Sequence, residues 1–274
     1  MSAMVKHDYI LGIDIAKKSF HVTLLTDNKC KHKVFGNNEK GFKALLEWLI
    51  KQGVTTLHTC LEATGTYGEA LAHYLYHADF TVSVVNPAKI KGFAQCQLMR
   101  LKNDKADAAL IAQYCATMQP KAWRPEPSHI KQLQALVRRL DELVVALNQE
   151  QNRLAVAPEV IQSSIYVMIS TLEQQIKSIQ QQIKSHIDQH PGLKQKAALL
   201  ESIPGVGRGT IAQILGFISN LHHFDNAKQC AAFIGLNPKQ FSSGTSVRGR
   251  TSISKTGSAS LRRAFYMPAL AAMT

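Results

Sequence analysis

The stretch Tyr9–Phe20, YILGIDIAKKSF, decides the reading of this chain. Tyr9, Ile10, Leu11 and Ile13 run apolar into Asp14, Ala16-Lys17-Lys18 makes a turn, and Phe20, Val22 and Leu24 alternate with polar residues. This is the pattern of a β-hairpin spanning Tyr9 to Leu25. Asp14 therefore sits within or at the end of a strand, where a carboxylate serves no packing purpose.

Two further segments repeat the theme. Leu57 to Leu61 reads as a second strand and runs straight into Glu62, followed by the turn Ala63-Thr64-Gly65-Thr66. Asn103-Asp104-Lys105-Ala106-Asp107 then opens an Ala-rich helix through Ala116. The i, i+3 spacing sets Asp104 and Asp107 near one face of its first turn. Two like charges that close repel unless a cation lies between them. Hard divalent cations such as Mg²⁺ or Mn²⁺ prefer carboxylate oxygens, and a two-metal arrangement clamps the attacking and leaving oxygens of a phosphoryl transfer. Singly, each residue has an ordinary structural reading: Asp104 as a helix N-cap, Asp107 as a first-turn dipole partner, Glu62 as a turn residue. Together, in these settings, Asp14, Glu62, Asp104 and Asp107 favour a metal site.

The segments GIDIAKKSF, LEATGTYG, NPAKIKGFAQ and KNDKADAALIAQYC resemble the N-terminal DEDD domain of the Piv-like site-specific DNA invertases and related insertion-sequence transposases, the group known for bridge-RNA-guided recombination. That domain is similar to the Holliday-junction-resolvase version of the RNase H fold. The resemblance implies an α/β domain with a mixed central sheet, whose four acidic residues match Asp14, Glu62, Asp104 and Asp107. It continues to the last residue of the chain, and the motifs combined are far more specific than any one.

Composition agrees. The 274 residues are enough for two domains with their own cores. A net charge of +13 and a pI near 9.6 call for an anionic partner, most simply nucleic acid. Ribosomal and membrane-surface proteins share that basic balance. No N-terminal stretch resembles a signal peptide and no apolar run reaches membrane-spanning length, so a cytoplasmic, bacterial location is expected. The cysteines (Cys30, Cys60, Cys96, Cys115, Cys230) are odd in number, dispersed and free of any Cys-x-x-Cys pair, so neither a disulfide framework nor a zinc ribbon is supported and they read as reduced core or surface thiols. Among the histidines, the pair His222-His223 has no metal-ligand spacing around it and reads as a loop position.

After the Pro-rich connector Pro120–Pro127 the pattern changes. From Ser128, a candidate N-cap, Leu133, Leu136, Leu140, Leu143 and Leu147 recur at helical spacing up to about Leu154. Past the Pro158 break, Ile165, Ile169, Leu172, Ile176, Ile179, Ile183 and Ile187 form a stripe among Gln, Lys and Ser, the pattern of a coiled-coil seam. Two seams joined by a short turn predict an antiparallel helical hairpin without a catalytic role. The seam closes within the chain or against another subunit. The resemblance favours a protruding linker that assembles dimers and tetramers.

The third region begins near Leu199, where LLESIPGVGRGTIAQILGFI has the form helix, Pro-Gly-Val-Gly turn, helix. It resembles a helix-hairpin-helix: Gly205 and Gly207 let backbone approach phosphate, and the next helix offers its N-terminal N–H groups. A purely structural turn is the plain alternative. After Asp225 there is no acidic residue, while Lys228, Lys239, Arg248, Arg250, Lys255, Arg262 and Arg263 accumulate among serines and glycines, a local imbalance that points to phosphate contact.

The segment CAAFIGLNPKQFSSGTSVRGRTSISKTGSASLRRAFYMPAL resembles the C-terminal domain of the same transposase family. The resemblance implies that a serine of the Ser-Gly segment becomes linked to a DNA phosphate. Ser243, directly before Gly244, is the choice, with Ser242 and Ser246 as competitors, since the local chemistry does not single out one hydroxyl. A serine is a weak nucleophile until activated, and nearby arginines stabilise developing phosphorane charge. The resemblance also implies an active site in which the DEDD domain of one protomer meets the serine domain of another, and a bridge RNA that pairs with target and donor DNA. Protein contacts then read backbone and shape while base pairing reads sequence.

The expected division is 1–122, an RNase H-like DEDD domain; 123–192, a helical coiled-coil linker; and 193–274, a mainly α transposase domain with the helix-hairpin-helix and the serine. The chain stops at MPALAAMT, where members of the family continue through another helical segment, so a shortened third domain is expected. Two other functions stay open. A metal-dependent junction nuclease would use the carboxylates alone, and a nucleic-acid-binding protein without turnover would use only the basic surface.

Overall fold

Leu11 and Ile13 on one strand, and Phe20, Val22 and Leu24 on the next, are all fully buried, and their pairing sets the centre of the first domain. The computed structural model describes residues 9–26, 29–63, 65–98, 103–218, 224–239, 242–243 and 247–273, with backbone alone at 242–243 and 247–248. The chain divides into two compact units, Met1–Pro125 and Glu126–Thr274.

In the first unit, β1 (Tyr9–Ile15), β2 (Ser19–Leu25) and β3 (Cys30–Gly36) form an antiparallel meander. Helix α1 (Glu39–Lys51) then crosses over to β4 (Leu57–Glu62), which lies parallel to β1, and α2 (Glu69–His77) crosses to β5 (Thr81–Val85), parallel to β4. Helices α3 (Pro87–Cys96) and α4 (Asp104–Met118) follow. The sheet order is β3-β2-β1-β4-β5. This mixed sheet fits the RNase H-like arrangement implied by the family resemblance.

Strand alternation divides the residues between the two faces. Leu11, Ile13, Leu57 and Leu61 join Phe42, Leu45 and Leu49 of α1 and Leu71 and Leu75 of α2 in one core. Cys60 and Val85 pack on Ile90, Leu110, Ile111, Tyr114 and Cys115 from α3 and α4 in another. The sheet is thus covered on both faces. Gly12 faces α4, where a Cβ would stand 2.2 Å from the Ala112 backbone nitrogen and 2.3 Å from the Ala108 carbonyl oxygen. Only a glycine lets β1 and α4 approach so closely, and the helix answers with two alanines. The cysteines are all free thiols, as the sequence indicates.

The second unit begins with two long helices, α5 (Ser128–Leu154) and α6 (Glu159–Gln189), joined by the short turn around Pro158 and packed as a hairpin. The cap position of α5 is Pro127 rather than Ser128, which is already helical and makes no capping hydrogen bond. Pro127 holds the extended ψ of 144° that the entry to a helix needs and lacks only an N–H that the first turn would leave unpaired. At one end of the hairpin, Ile130, Leu133, Val137 and Ile183 bury against Leu193 of α7 (Pro191–Glu201) and Ile211, Ala212 and Leu215 of α8 (Arg208–Phe217). Elsewhere on α6 only Ile165 is buried, while Val160, Tyr166, Val167 and Met168 are exposed.

Helix α9 (Ala227–Ile234), the short strands β6 (Pro238–Lys239), β7 (Ser242–Ser243), β8 (Val247–Arg248) and β9 (Ser252–Ile253), and helices α10 (Ala259–Ala264) and α11 (Tyr266–Ala271) complete the unit. Strand β6 pairs with β9, and β7 with β8. No described helix is long and apolar enough to cross a membrane. His222-His223 lies outside the described residues.

Candidate metal centre and nucleic-acid segment

Three elements deliver the four acidic residues to one face of the first sheet. Asp14 is the penultimate residue of β1 and Glu62 the last of β4. In the parallel ladder Gly12 pairs with Cys60 and Ile13 with Leu61, so its next step sets Asp14 beside Glu62. Both alternate onto the face that carries Gly12 and Cys60, the face covered by α4. Asp104 and Asp107 occupy the first turn of that helix. The N-cap is Asn103, whose side chain accepts from the Ala106 N–H at 2.9 Å. Asp104 is therefore not the cap, and the structural reading of it as one falls away.

The carboxylates lie within each other's fields. Burial raises the Asp14 carboxyl above its ordinary range, and Asp107 and then Asp104 raise it further. Burial likewise raises Glu62, with added contributions from Asp14 and Asp107. A cation placed among these groups would favour their charged forms and oppose both shifts. Among the described residues, no group of three or more His, Cys, Asp or Glu side chains is gathered closely enough to hold a metal ion as it stands. The four carboxylates share one field without sharing one ligand sphere. Their all-oxygen chemistry suits a hard divalent cation.

Sequence reasoning missed His21. It lies directly across the hairpin from Asp14, and its Nε2 stands 3.3 Å from Asp104 Oδ2. The signal was present in the alternation of Phe20, Val22 and Leu24. If these face one core, His21 faces the other side, and pairing across the Ala16–Ser19 turn brings it to Asp14.

The second unit holds the other candidate residues. Ser243 and Ser242 form β7, paired antiparallel with Val247 and Arg248 respectively, so the serines lie on one strand of a two-stranded ribbon. The side chains of Ser242, Ser243 and Arg248, and all of Ser246, lie outside the described residues. Gly205 adopts a positive φ of 81° in the α7–α8 turn, and a Cβ there would meet the Ala271 Cβ at 2.4 Å, so its close approach is to α11 of the same chain. Gly207 caps α8 with open space around it and no side-chain cap on the helix. Arg250, Lys255 and Arg263 are exposed. Arg262 differs, because its guanidinium donates to the carbonyls of Ile234 at 3.1 Å and Gly257 at 3.0 Å.

Comparison with known proteins covers both units. One family model, described as a transposase, matches residues 11–157, and another, the transposase IS116/IS110/IS902 family, matches residues 197–274. The pilin gene-inverting protein of Moraxella bovis is 35% identical over 95% of this chain and 81% of its own length. The transposase for insertion sequence element IS1328 of Yersinia enterocolitica is 26% identical over 93% of this chain and 80% of its own. Fowlpox virus resolvase, solved in complex with Holliday junction DNA, aligns with 41% of this chain and 99% of its own at 15% identity and a TM-score of 0.29. On the strength of the two family matches and of the Moraxella relative, this chain belongs to the IS110 family of transposases, DNA-processing enzymes that include the pilin gene-inverting proteins.

Proposed function

We propose that this chain is a divalent-metal-dependent DNA recombinase that cuts and rejoins DNA through a serine nucleophile. The observation that carries the reading is the convergence of Asp14, Glu62, Asp104 and Asp107 on one sheet face, with Asp14 and Glu62 pushed up by burial and by their acidic neighbours. Asp14, Glu62, Asp104 and Asp107 would hold Mg²⁺ or Mn²⁺. When bound, such a cation supplies Lewis-acid polarisation of a phosphoryl oxygen and relieves the repulsion among the carboxylates.

The chain's own residues would do the rest. Ser243, in preference to Ser242 or Ser246, attacks a DNA phosphorus. Its Oγ forms the new ester bond, its proton passes to a base, and a deoxyribose oxygen leaves. Arg250, Lys255 and Arg263, joined by Arg248, offer cationic groups to the backbone near that serine. Gly207 and the uncapped start of α8 give the Pro-Gly-Val-Gly turn a second phosphate contact in the manner of a helix-hairpin-helix. The α5–α6 pair acts as a coiled-coil linker between a DEDD domain of Holliday-junction-resolvase type and the serine domain. It also brings protomers together as dimers or tetramers, so that carboxylates and serine from different copies act on one DNA. A bridge RNA would select the sequences joined, with inversion of a DNA segment as one outcome, the activity named for the Moraxella relative.

The test is incubation of the purified protein with DNA carrying its element ends, the adjacent noncoding RNA and Mg²⁺. The expected product is a denaturant-resistant protein–DNA adduct that disappears in Ser243→Ala and on chelation. Metal-dependent strand cleavage that survives Ser243→Ala would instead establish a junction nuclease, a reading favoured by the presence of all four carboxylates within the first unit. Salt-sensitive binding without either reaction would leave a nucleic-acid-binding protein.

A further inference from the structure

We propose that Tyr67 is a base-stacking residue of the first unit, on whose ring an unpaired base of bound DNA lies beside the carboxylate edge; the proposal rests on the reading of this chain as an enzyme that acts on DNA at that edge. Tyr67 lies in the loop between β4 and α2, shortly after Glu62. It is 50% exposed, and among the described residues neither its ring nor its hydroxyl has an aromatic or hydrogen-bond partner. A single exposed aromatic is ordinary on a protein surface. The backbone beneath this one is not ordinary, because it is fixed from two sides.

Asn37 holds it from the first side. Its Nδ2 donates to the Tyr67 carbonyl at 3.1 Å and to the Ala16 carbonyl at 3.0 Å, and its backbone N–H donates to the Lys18 carbonyl at 2.9 Å. One residue thereby joins the β1–β2 turn to the loop that carries Tyr67. Gly68 holds it from the second side, where a Cβ would stand 3.0 Å from Ile15 Cδ1 and 3.2 Å from Leu61 Cδ1. Ile15 follows Asp14 and Leu61 precedes Glu62, so the loop is pressed onto the ends of the two strands that bear carboxylates. The main chain is set while the side chain stays open to solvent.

A tyrosine so placed has only two side-chain torsions left to order on binding, which is the condition for a ready-made platform. Every base has a π-face, so an aromatic platform accepts it without regard to sequence. Lys17 and Lys18, exposed on the turn that Asn37 ties to this loop, suit the phosphates next to such a base. An intact duplex offers no free face, because its bases stack on one another. DNA with an unpaired base is the partner this combination fits.

The experiment measures DNA binding by full-length protein in chelator, which keeps it independent of any metal. One probe is a duplex, and the other is the same duplex with a single unpaired 5-iododeoxyuridine, which photocross-links to an aromatic ring stacked on it. Wild type is compared with Tyr67→Phe, Tyr67→Ala and Asn37→Ala, with the melting temperature of each. Wild type should prefer the unpaired probe and cross-link to it through the peptide that contains Tyr67. Tyr67→Ala should lose about 5- to 100-fold in affinity for that probe, with duplex binding kept within roughly twofold and melting unchanged. Tyr67→Phe should keep the preference within roughly twofold, since the ring remains. Asn37→Ala should reduce the preference with Tyr67 intact, and an unchanged preference there overturns the claim that the loop is pre-set. Equal preference in wild type and Tyr67→Ala, or a cross-link elsewhere, overturns the stacking role while leaving the DNA reading in place. Equal losses in Tyr67→Phe and Tyr67→Ala overturn it as well, because the hydroxyl rather than the ring then acts. A loss confined to an RNA probe of the same sequence overturns the assignment to DNA. Absence of binding to either DNA probe by wild type overturns the DNA reading and this proposal with it.

Discussion

Replacing Gly12 by alanine tests the contact on which the carboxylate geometry depends. The added methyl would lie 2.2 Å from the Ala112 nitrogen, 2.3 Å from the Ala108 oxygen and 2.7 Å from the Ala112 Cα, all backbone atoms. Ordinary contact begins at 3.4 Å, so α4 must move away from β1 by about 1 Å, and no side-chain rotation relieves the overlap. Overpacking of this kind costs ~1–3 kcal/mol, and a backbone obstruction belongs at the upper end. For a unit of this size that is a fall in melting temperature of roughly 5–15 °C. The same movement carries Asp104 and Asp107 away from Asp14, and a misplacement of about 1 Å commonly lowers a rate by ~100-fold. Thermal unfolding and metal-dependent DNA cleavage are measured for Gly12→Ala and for Gly92→Ala, a control on α3 where a Cβ meets nothing within 4 Å. The control should match or exceed wild type in stability, because alanine favours a helix. If Gly12→Ala melts with wild type, the claimed backbone contact is wrong. If it loses stability but keeps its cleavage rate, the contact does not position the carboxylates.

Three further outcomes are expected. Asp14 and Glu62 have folded-state carboxyls raised above the ordinary carboxylate range, so these two groups hold protons more tightly in the fold than in the unfolded chain, and their contribution to metal-free stability falls as pH climbs from the ordinary values through the raised ones. Accordingly, Asp14→Asn should melt no lower than wild type in chelator at pH 7, and the stabilisation by Mg²⁺ expected of wild type under the proposed function should be absent from it, as followed by thermal shift. In the second unit, Asp141 Oδ2 accepts from Gln213 Nε2 at 2.9 Å and from the Ser260 hydroxyl, tying α5 to α8 and α10. Asp141→Ala should therefore cost ~1–3 kcal/mol in urea unfolding, since Gln213 is buried. Finally, alanine at Arg250, Lys255 or Arg263 should reduce the salt dependence of DNA binding by about one ion each without affecting folding. Arg262→Ala should instead lower stability, through loss of its bonds to the Ile234 and Gly257 carbonyls.

The amino-acid order by itself determined the hairpin, the strand ending in Glu62 and the helix opening at Asn103, because alternation, turn residues and capping act over a few neighbouring positions. The four carboxylates were legible for the same reason: each interrupts an apolar pattern at a strand end or helix start. The helical hairpin was legible from its three- and four-residue spacing, although the proline that sets the start of α5 was read one residue late. His21 was not read, because its place beside Asp14 and Asp104 arises only when β2 folds back on β1 and α4 packs over both. Gly12 carried no signal in a strand whose other residues announce themselves, and only the 2.2 Å approach of α4 shows why a side chain has no room there. Gly205 and Arg262, both read as phosphate contacts, make contacts within the chain, to α11 and to the α9–α10 junction. Local chemistry fixes which residues can act, whereas distant segments decide by packing which of them remain available to act, since burial and hydrogen bonding are settled only when those segments meet.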